Sequence, residues 1–332
     1  MRPGDLLRRS RVRFLSSILL FCLFFVACSS KSKPIGHSPT ETGKQSAGKV
    51  DSNSTHSGGK RETVTNILMT ETPGLTVWTG SDGKIQVDAS NTKKGYVCVK
   101  YTGTADRVQV QMTNPDGSRN PYPLQIGSFE GIPLTGGDGN YSIQVLEHVS
   151  GKTYAIGLSQ TFDVQLENEF TPYLYPNQYC DYQSDDQAVK KGQELSDRSS
   201  DDLDFIRNVY HFVIKTIKYD DALAENIPLN YLPDPDTTLK TKKGICLDYA
   251  SLTVAMLRSQ GVPTKLEVGY SGSVYHAWIS VWTRETGWID KAIRFDGKDW
   301  TLVDPTLGAN NSASSVKKYI GDGKNYTLSY NY

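Results

Sequence analysis

The sequence predicts an α+β protein, in which an antiparallel β-sandwich precedes a second domain of helices and antiparallel strands. Two observations predict this fold class. Between residues 84 and 166, short segments of alternating apolar and polar residues recur between turn sequences, without a helical pattern among them. From residue 201 onward, apolar residues recur twice at helical spacing, and after residue 261 the period changes from 3.6 to 2.

The N-terminus has the features of a bacterial secretion signal. Arginines between residues 8 and 13 precede an apolar run over residues 14–27, which is too short for a comfortable membrane-spanning helix. The run ends in Ala27-Cys28 and resembles a lipobox, although Phe25 departs from the usual leucine. We therefore expect residues 1–28 to be a lipoprotein signal peptide, with Cys28 lipidated and anchoring the protein to the membrane outside the cytoplasm. The alternative is ordinary signal-peptide cleavage without lipidation of Cys28. In both cases the protein would work outside the cytoplasm.

Composition suggests three further segments. Residues 29–62 consist mainly of Ser, Thr, Lys, Gly and Pro and contain almost no large apolar side chain, which is typical of a flexible tether. The remaining chain is long enough for two domains. A segment rich in Tyr, Pro and Asn begins at residue 172, so we expect a β-sandwich-like domain over residues 63–168 and a second domain over residues 172–332.

Charge and cysteine content restrict the function. The chain has 36 basic and 36 acidic side chains, so it has no strong positive field, and this argues against nucleic acid as a partner. After Cys28 and Cys246, discussed below, Cys98 and Cys180 remain in the folded part. They could form a disulfide in an oxidising compartment, or Cys98 could simply be packed within its strand, and the sequence leaves both open.

In the first domain, five segments have strand character and are separated by turns such as Asn114-Pro115-Asp116-Gly117: residues 84–88, 96–101, 107–112, 141–146 and 161–166. Acidic and glycine residues in these turns match no complete calcium-binding loop, so turn geometry explains them better. The domain contains no catalytic constellation.

In the second domain, helices are expected over residues 185–195, from Asp201 to about Ile217, and from Cys246 to Gly261. The strands that follow place His276, Trp278, Ser280 and Trp282 on one face. A hairpin-like turn at Asp296-Gly297 precedes a strand that ends near Asp304.

Cys246 has the position of a nucleophile. It follows Gly244-Ile245 and begins a helix, where free backbone N–H groups and the helix dipole stabilise a thiolate. A buried structural cysteine is the alternative. If the strands bearing His276 and Asp304 are neighbours, the histidine can reach both the thiol and the carboxylate, which gives a nucleophile, a base and an orienting acid.

Three blocks carry a resemblance to a known family: Gly244-Ile245-Cys246-Leu247-Asp248-Tyr249-Ala250, Tyr275-His276-Ala277-Trp278, and Trp300-Thr301-Leu302-Val303-Asp304-Pro305-Thr306. In order and spacing they resemble the transglutaminase-like superfamily over roughly residues 200–310. The resemblance implies a papain-like α+β domain, with Cys246 as nucleophile, His276 as general base and acid, and Asp304 as the orienting carboxylate.

The resemblance also implies a mechanism. Cys246 would attack an amide carbonyl of a protein or cell-wall peptide, forming a thioester that water or an amine resolves, with no metal or organic cofactor. The backbone N–H of Cys246 would meet the oxyanion, and Tyr219 or the loop before Gly244 is a candidate for the second donor. Members of the family cross-link, hydrolyse or only bind, so a catalytically silent cell-surface binding module is the alternative.

Overall fold

The computed structural model describes residues 60–271, 274–295, 300–302 and 326–332. Every statement below concerns these residues. Cys28 and the signal peptide, most of the expected tether, and Asp304 lie outside them.

The first half of the described chain is a sandwich of two four-stranded antiparallel sheets. One sheet has the order β1-β2-β3-β6, with β1 at Val77–Thr79, β2 at Ile85–Asp88, β3 at Tyr96–Tyr101 and β6 at Phe129–Pro133. The other has the order β5-β4-β7-β8, with β4 at Val108–Thr113, β5 at Arg119–Leu124, β7 at Gly139–Ser150 and β8 at Thr153–Val164.

Alternation along these strands explains why they pack face to face. Val97 and Val99 of β3 and Val110 and Met112 of β4 are fully buried in one core cluster. The expected β-sandwich is therefore confirmed. β5 escaped the sequence analysis because it contains two prolines; it pairs only with β4, and a sheet edge is where proline is tolerated in a strand.

The second half begins with helices. The three longest agree with the expected ones to within one or two residues: α1 at Gln187–Ser196, α2 at Asp202–Thr216 and α5 at Cys246–Ser259. Asp201 caps α2 by accepting the backbone N–H of Asp204 at 2.8 Å. Two short helices, α3 at Asp221–Glu225 and α4 at Pro235–Thr241, lie in the proline-containing segment between α2 and α5.

A five-stranded antiparallel sheet follows the helices, in the order β14-β13-β12-β11-β15. Its strands are β11 at Thr264–Ser271, β12 at Val274–Thr283, β13 at Gly287–Phe295, β14 at Trp300–Leu302 and β15 at Tyr326–Asn331. A parallel pair of two-residue strands, β9 at Lys218–Tyr219 and β10 at Lys243–Gly244, lies just before α5.

α5 packs on the sheet through its apolar side chains. Leu252, Val254 and Leu257 are fully buried in one cluster with Leu266 and Ile279 of the sheet. This cluster is continuous with the core of the sandwich, so the described residues from 60 onward belong to one compact unit. The helix that carries Cys246 is therefore held on a rigid frame.

The end of the expected tether is held to the helices. Arg61, within the range 29–62 that we expected to be flexible, donates from Nε to Asp202 at 2.7 Å and from a terminal nitrogen to the carbonyl of Gln260 at 2.6 Å. Its guanidinium also lies 4.6 Å from the ring centroid of Phe205. Flexibility therefore cannot extend through Arg61.

Candidate active site

Local backbone geometry places Cys246 at the first position of α5. Ile245 is the N-cap residue, with extended backbone angles, and Cys246 is the first helical residue. A Cβ added to Gly244 would lie 2.5 Å from Cβ of Asp248, so only glycine fits at this turn into the helix. The spacing Gly244-Ile245-Cys246 is thus a steric requirement of the helix start.

Asp248 closes the N-terminus of this helix from within the core. It is 1% exposed and accepts the backbone N–H of Ile245 at 2.8 Å and the hydroxyl of Tyr231 at 2.7 Å. Burial raises the pKa of Asp248, and the charges of Asp220 and Asp234 raise it further, against these two hydrogen bonds. The carboxylate therefore joins the helix start to the segment before it.

Two opposing effects act on the pKa of the Cys246 thiol. Burial raises the pKa of the thiol, and the nearby charge of Asp248 adds to this effect. Hydrogen bonds from the backbone of Ala277 and Leu247 lower it, as expected at a helix N-terminus, but they do not outweigh burial. The expectation of a lowered thiol pKa is therefore wrong in direction, because desolvation is the larger effect.

β12 brings the chain at His276 to the sulfur. The backbone of Ala277, the residue after His276, hydrogen-bonds to the sulfur of Cys246. His276 is 7% exposed and pairs with Gly269 of β11. A Cβ on Gly269 would lie 2.0 Å from the carbonyl oxygen of Thr327, so the close packing of β11 and β15 requires glycine there.

The carboxylate expected to complete the site, Asp304, lies outside the described residues. The arrangement of strands nevertheless differs from the expected one. β13 lies between β12 and β14, so the strand that carries His276 and the strand that leads toward Asp304 are not neighbours. The sequence analysis named no strand between Trp282 and the turn at Asp296-Gly297, where β13 lies.

Tyr219, a candidate for the second oxyanion donor, lies beside the start of α5. It pairs with Gly244 in the β9–β10 ladder, and the N–H of Asp220 donates to the carbonyl of Gly244 at 3.0 Å. Burial and then the charge of Cys246 raise the pKa of Tyr219 to about 12. The phenol is therefore protonated at neutral pH and can donate a hydrogen bond.

Two further buried or half-buried groups in the same half of the chain were missed by the sequence analysis. Tyr231 is one, since its contact with Asp248 joins residues 17 positions apart and leaves no periodic signal. Glu267 is the other: burial raises its pKa, and the hydroxyl of Ser280 donates to it at 2.5 Å. In the sequence, Glu267 looked like an ordinary polar position of an alternating strand.

The remaining candidates are also located. Cys98 and Cys180 are both buried and free, and burial raises the pKa of each to about 12. The described part of the chain contains no group of three or more His, Cys, Asp or Glu that could hold a metal ion. None of its helices is long and apolar enough to cross a membrane.

Comparison with known proteins agrees with the resemblance noted in the sequence. Residues 189–305 match the family model of the transglutaminase-like superfamily. The UPF0252 protein of Methanocaldococcus jannaschii is 36% identical over 88 residues, which cover 23% of this chain and 25% of that protein. A protein-glutamine gamma-glutamyltransferase of Pseudomonas aeruginosa is 25% identical over 118 residues, covering 29% of this chain and 16% of that protein. The chain thus spans a quarter or less of the length of these two relatives.

Two solved structures are also similar. One is a candidate cysteine protease from Cytophaga hutchinsonii, with 13% identity and a TM-score of 0.35, covering 70% of this chain and 73% of that one. The other is a candidate protease from Parabacteroides distasonis, with 16% identity and a TM-score of 0.25, covering 57% and 36% of the two chains. Both scores are below 0.5, so neither overlay establishes a shared fold.

Proposed function

We propose, from the match of residues 189–305 to the transglutaminase-like superfamily, that the protein is a thiol-dependent enzyme that cleaves or exchanges amide bonds of a protein or cell-wall peptide. Cys246 is the nucleophile, His276 the general base and acid, and Asp304 the carboxylate that orients His276. The observation that carries the proposal is the hydrogen bond from the backbone of Ala277, the residue after His276, to the sulfur of Cys246.

The reaction has two balanced stages. The thiol proton of Cys246 passes to His276 while the sulfur adds to the amide carbonyl, and the C–N bond then breaks as His276 returns the proton to the leaving amine. Water or a second amine attacks the thioester, its proton passes through His276 to the sulfur, and the thiol is restored. The backbone N–H of Cys246 and the hydroxyl of Tyr219 stabilise the oxyanion in both stages.

The raised thiol pKa makes His276 a true general base in this scheme. A thiol that is protonated at rest must lose its proton during attack, so the imidazole accepts it in the transition state. The same observation favours the second candidate function, a catalytically silent binding module on the same fold, since a half-buried thiol with a raised pKa is a poor nucleophile on its own.

Trapping of the acyl-enzyme separates the two functions. The protein is incubated with a mixture of carboxamide-bearing peptides, quenched in acid and analysed by peptide mass. We expect an acyl increment on Cys246 that hydroxylamine removes, and we expect His276→Ala to abolish it. Cys98→Ala serves as the matched control, because Cys98 is a free cysteine buried in the sandwich. Absence of any increment on Cys246, with the peptides in large excess, would support the binding module.

We also propose that the enzyme works outside the cytoplasm, anchored by a lipid on Cys28. The apolar leader and the small residue before Cys28 support this proposal. Cys28→Ser is expected to move the protein from the membrane fraction to the medium, or to leave it unprocessed. Normal processing with unchanged membrane retention would rule out the anchor.

A further inference from the structure

Three large apolar side chains, two in the segment before α5 and one beside His276 in β12, are left exposed. Ile227 is 53% exposed, Leu229 is 55% exposed and Tyr275 is 49% exposed. Single exposed apolar residues are common on protein surfaces, but a group of them at one place marks a binding surface. Ile227, Leu229 and Tyr275 therefore mark a binding surface if they lie close to one another.

Hydrogen bonds hold the segment that carries Ile227 and Leu229 beside the nucleophile. At its start, the N–H of Asp220 donates to the carbonyl of Gly244 at 3.0 Å. At its end, the hydroxyl of Tyr231 donates to Asp248 at 2.7 Å. Gly244 and Asp248 each lie two residues from Cys246, so the segment that includes the loop 226–230 begins and ends beside the first turn of α5.

Tyr275 borders the sulfur from the sheet. It directly precedes His276 in β12, and its ring packs edge-on against Tyr270 of β11 with a centroid distance of 5.3 Å. Burial raises the pKa of Tyr275, and the charge of Cys246 contributes to the same shift, so the phenol is within electrostatic reach of the sulfur. The ring is fixed by its neighbour and still presents half of its surface to solvent.

The charges around the loop restrict what it can bind. The exposed carboxylates of Asp221 and Glu225 lie just before the loop, and that of Asp234 follows it. The exposed residues Lys218 and Lys243 lie in the β9–β10 pair. An acidic side chain on the loop would meet like charges, whereas an apolar one would be buried against Ile227 and Leu229.

We propose that Ile227, Leu229 and Tyr275 form the surface that recognises the acyl donor, and that this donor is an extended peptide segment with a large apolar side chain next to the amide attacked by Cys246. We assign the acyl donor as the occupant because both anchors of the loop, Gly244 and Asp248, flank Cys246, and Tyr275 directly precedes His276. This inference rests on the proposed function and deepens it by naming the substrate class. The apolar surface discriminates between peptides, while the thiol and histidine perform the chemistry.

The test compares two peptide chloroacetamides that differ only in the residue next to the electrophile, Leu or Glu, with iodoacetamide as a small reference. The second-order rate constant for modification of Cys246 in the full-length protein is measured by peptide mass. We expect the Leu probe to react about tenfold faster than the Glu probe or more. In Ile227→Ser/Leu229→Ser, the ratio of the Leu-probe rate to the iodoacetamide rate should fall by about fivefold or more. Tyr275→Ser should lower the same ratio, and Tyr275→Phe should preserve it.

Leu75→Ser is the matched control, since Leu75 is 84% exposed on the sandwich and should change neither rate. Equal rates of the two probes in the wild-type protein would overturn the inference, as would a preference for Leu that survives in Ile227→Ser/Leu229→Ser. The proposed function is judged separately by the His276-dependent acylation of Cys246, so a failure of one proposal can be told from a failure of the other.

Discussion

Replacement of Arg258 should strongly destabilise the protein, because this guanidinium joins three separate segments inside the core. Arg258 lies in the last turn of α5 and is 2% exposed. It donates to the backbone carbonyls of Thr264 at 2.8 Å, Tyr175 at 2.8 Å and Tyr332 at 2.7 Å. It thereby links the helix that carries Cys246 to β11, to the segment before α1 and to the residue that follows β15.

The magnitude follows from these three contacts. A hydrogen bond with a charged partner contributes about 1.5–3 kcal/mol, so the gross loss in Arg258→Met is about 5–9 kcal/mol. Methionine also removes the cost of burying a charge, which is several kcal/mol, so we expect a net loss of about 3–5 kcal/mol in the free energy of unfolding. The stability of Arg258→Lys should lie between those of the wild-type protein and Arg258→Met, since an ammonium keeps the charge but lacks the planar fork of donors.

Urea unfolding followed by tryptophan fluorescence measures this change. With a slope of about 3 kcal/mol/M, the midpoint of Arg258→Met should fall by about 1 M or more. Arg198→Met is the matched control: the Arg198 side chain is 70% exposed, its ion pair with Glu194 at 2.6 Å is at the surface, and its loss should cost less than about 1 kcal/mol. A loss below about 1 kcal/mol in Arg258→Met would refute the reasoning.

Two further predictions concern titratable groups. Burial raises the pKa of Glu130 from an ordinary value of 4.5 to about 7. The protonated Glu130 therefore contributes fully to the free energy of unfolding below pH 4.5, and this contribution is lost as the pH rises through about 7. The loss is about 3 kcal/mol. Glu130→Gln should remove this pH dependence of the unfolding midpoint, and an unchanged dependence would contradict the assignment. Because the charge of Asp248 raises the pKa of Cys246, Asp248→Asn should lower that pKa and speed iodoacetamide labelling at a fixed pH below it. Tyr231→Phe keeps the charge and should give no such increase, so equal labelling profiles in both variants would count against this role.

The long helices and most strands of the sandwich could be predicted from the sequence because their signals are local. α2 and α5 follow from apolar residues three and four positions apart and from Asp201 and Gly244 at their starts. β3 follows from its short apolar segment between turn sequences and agrees to the residue with the expected range. Proline obscured β5, since tolerance of proline depends on whether a strand lies at an edge, and that is a property of the assembled sheet.

The candidate site divides in the same way. The sequence by itself determined that Cys246 begins a helix and that His276 lies in a strand, because backbone periodicity and turn geometry act over a few residues. Only the tertiary structure decided that β13 separates β12 from β14, and that the pKa of Cys246 is raised. Strand order and desolvation depend on which distant segments pack together, and that is set by the whole core, whereas a helix start is set by its own residues.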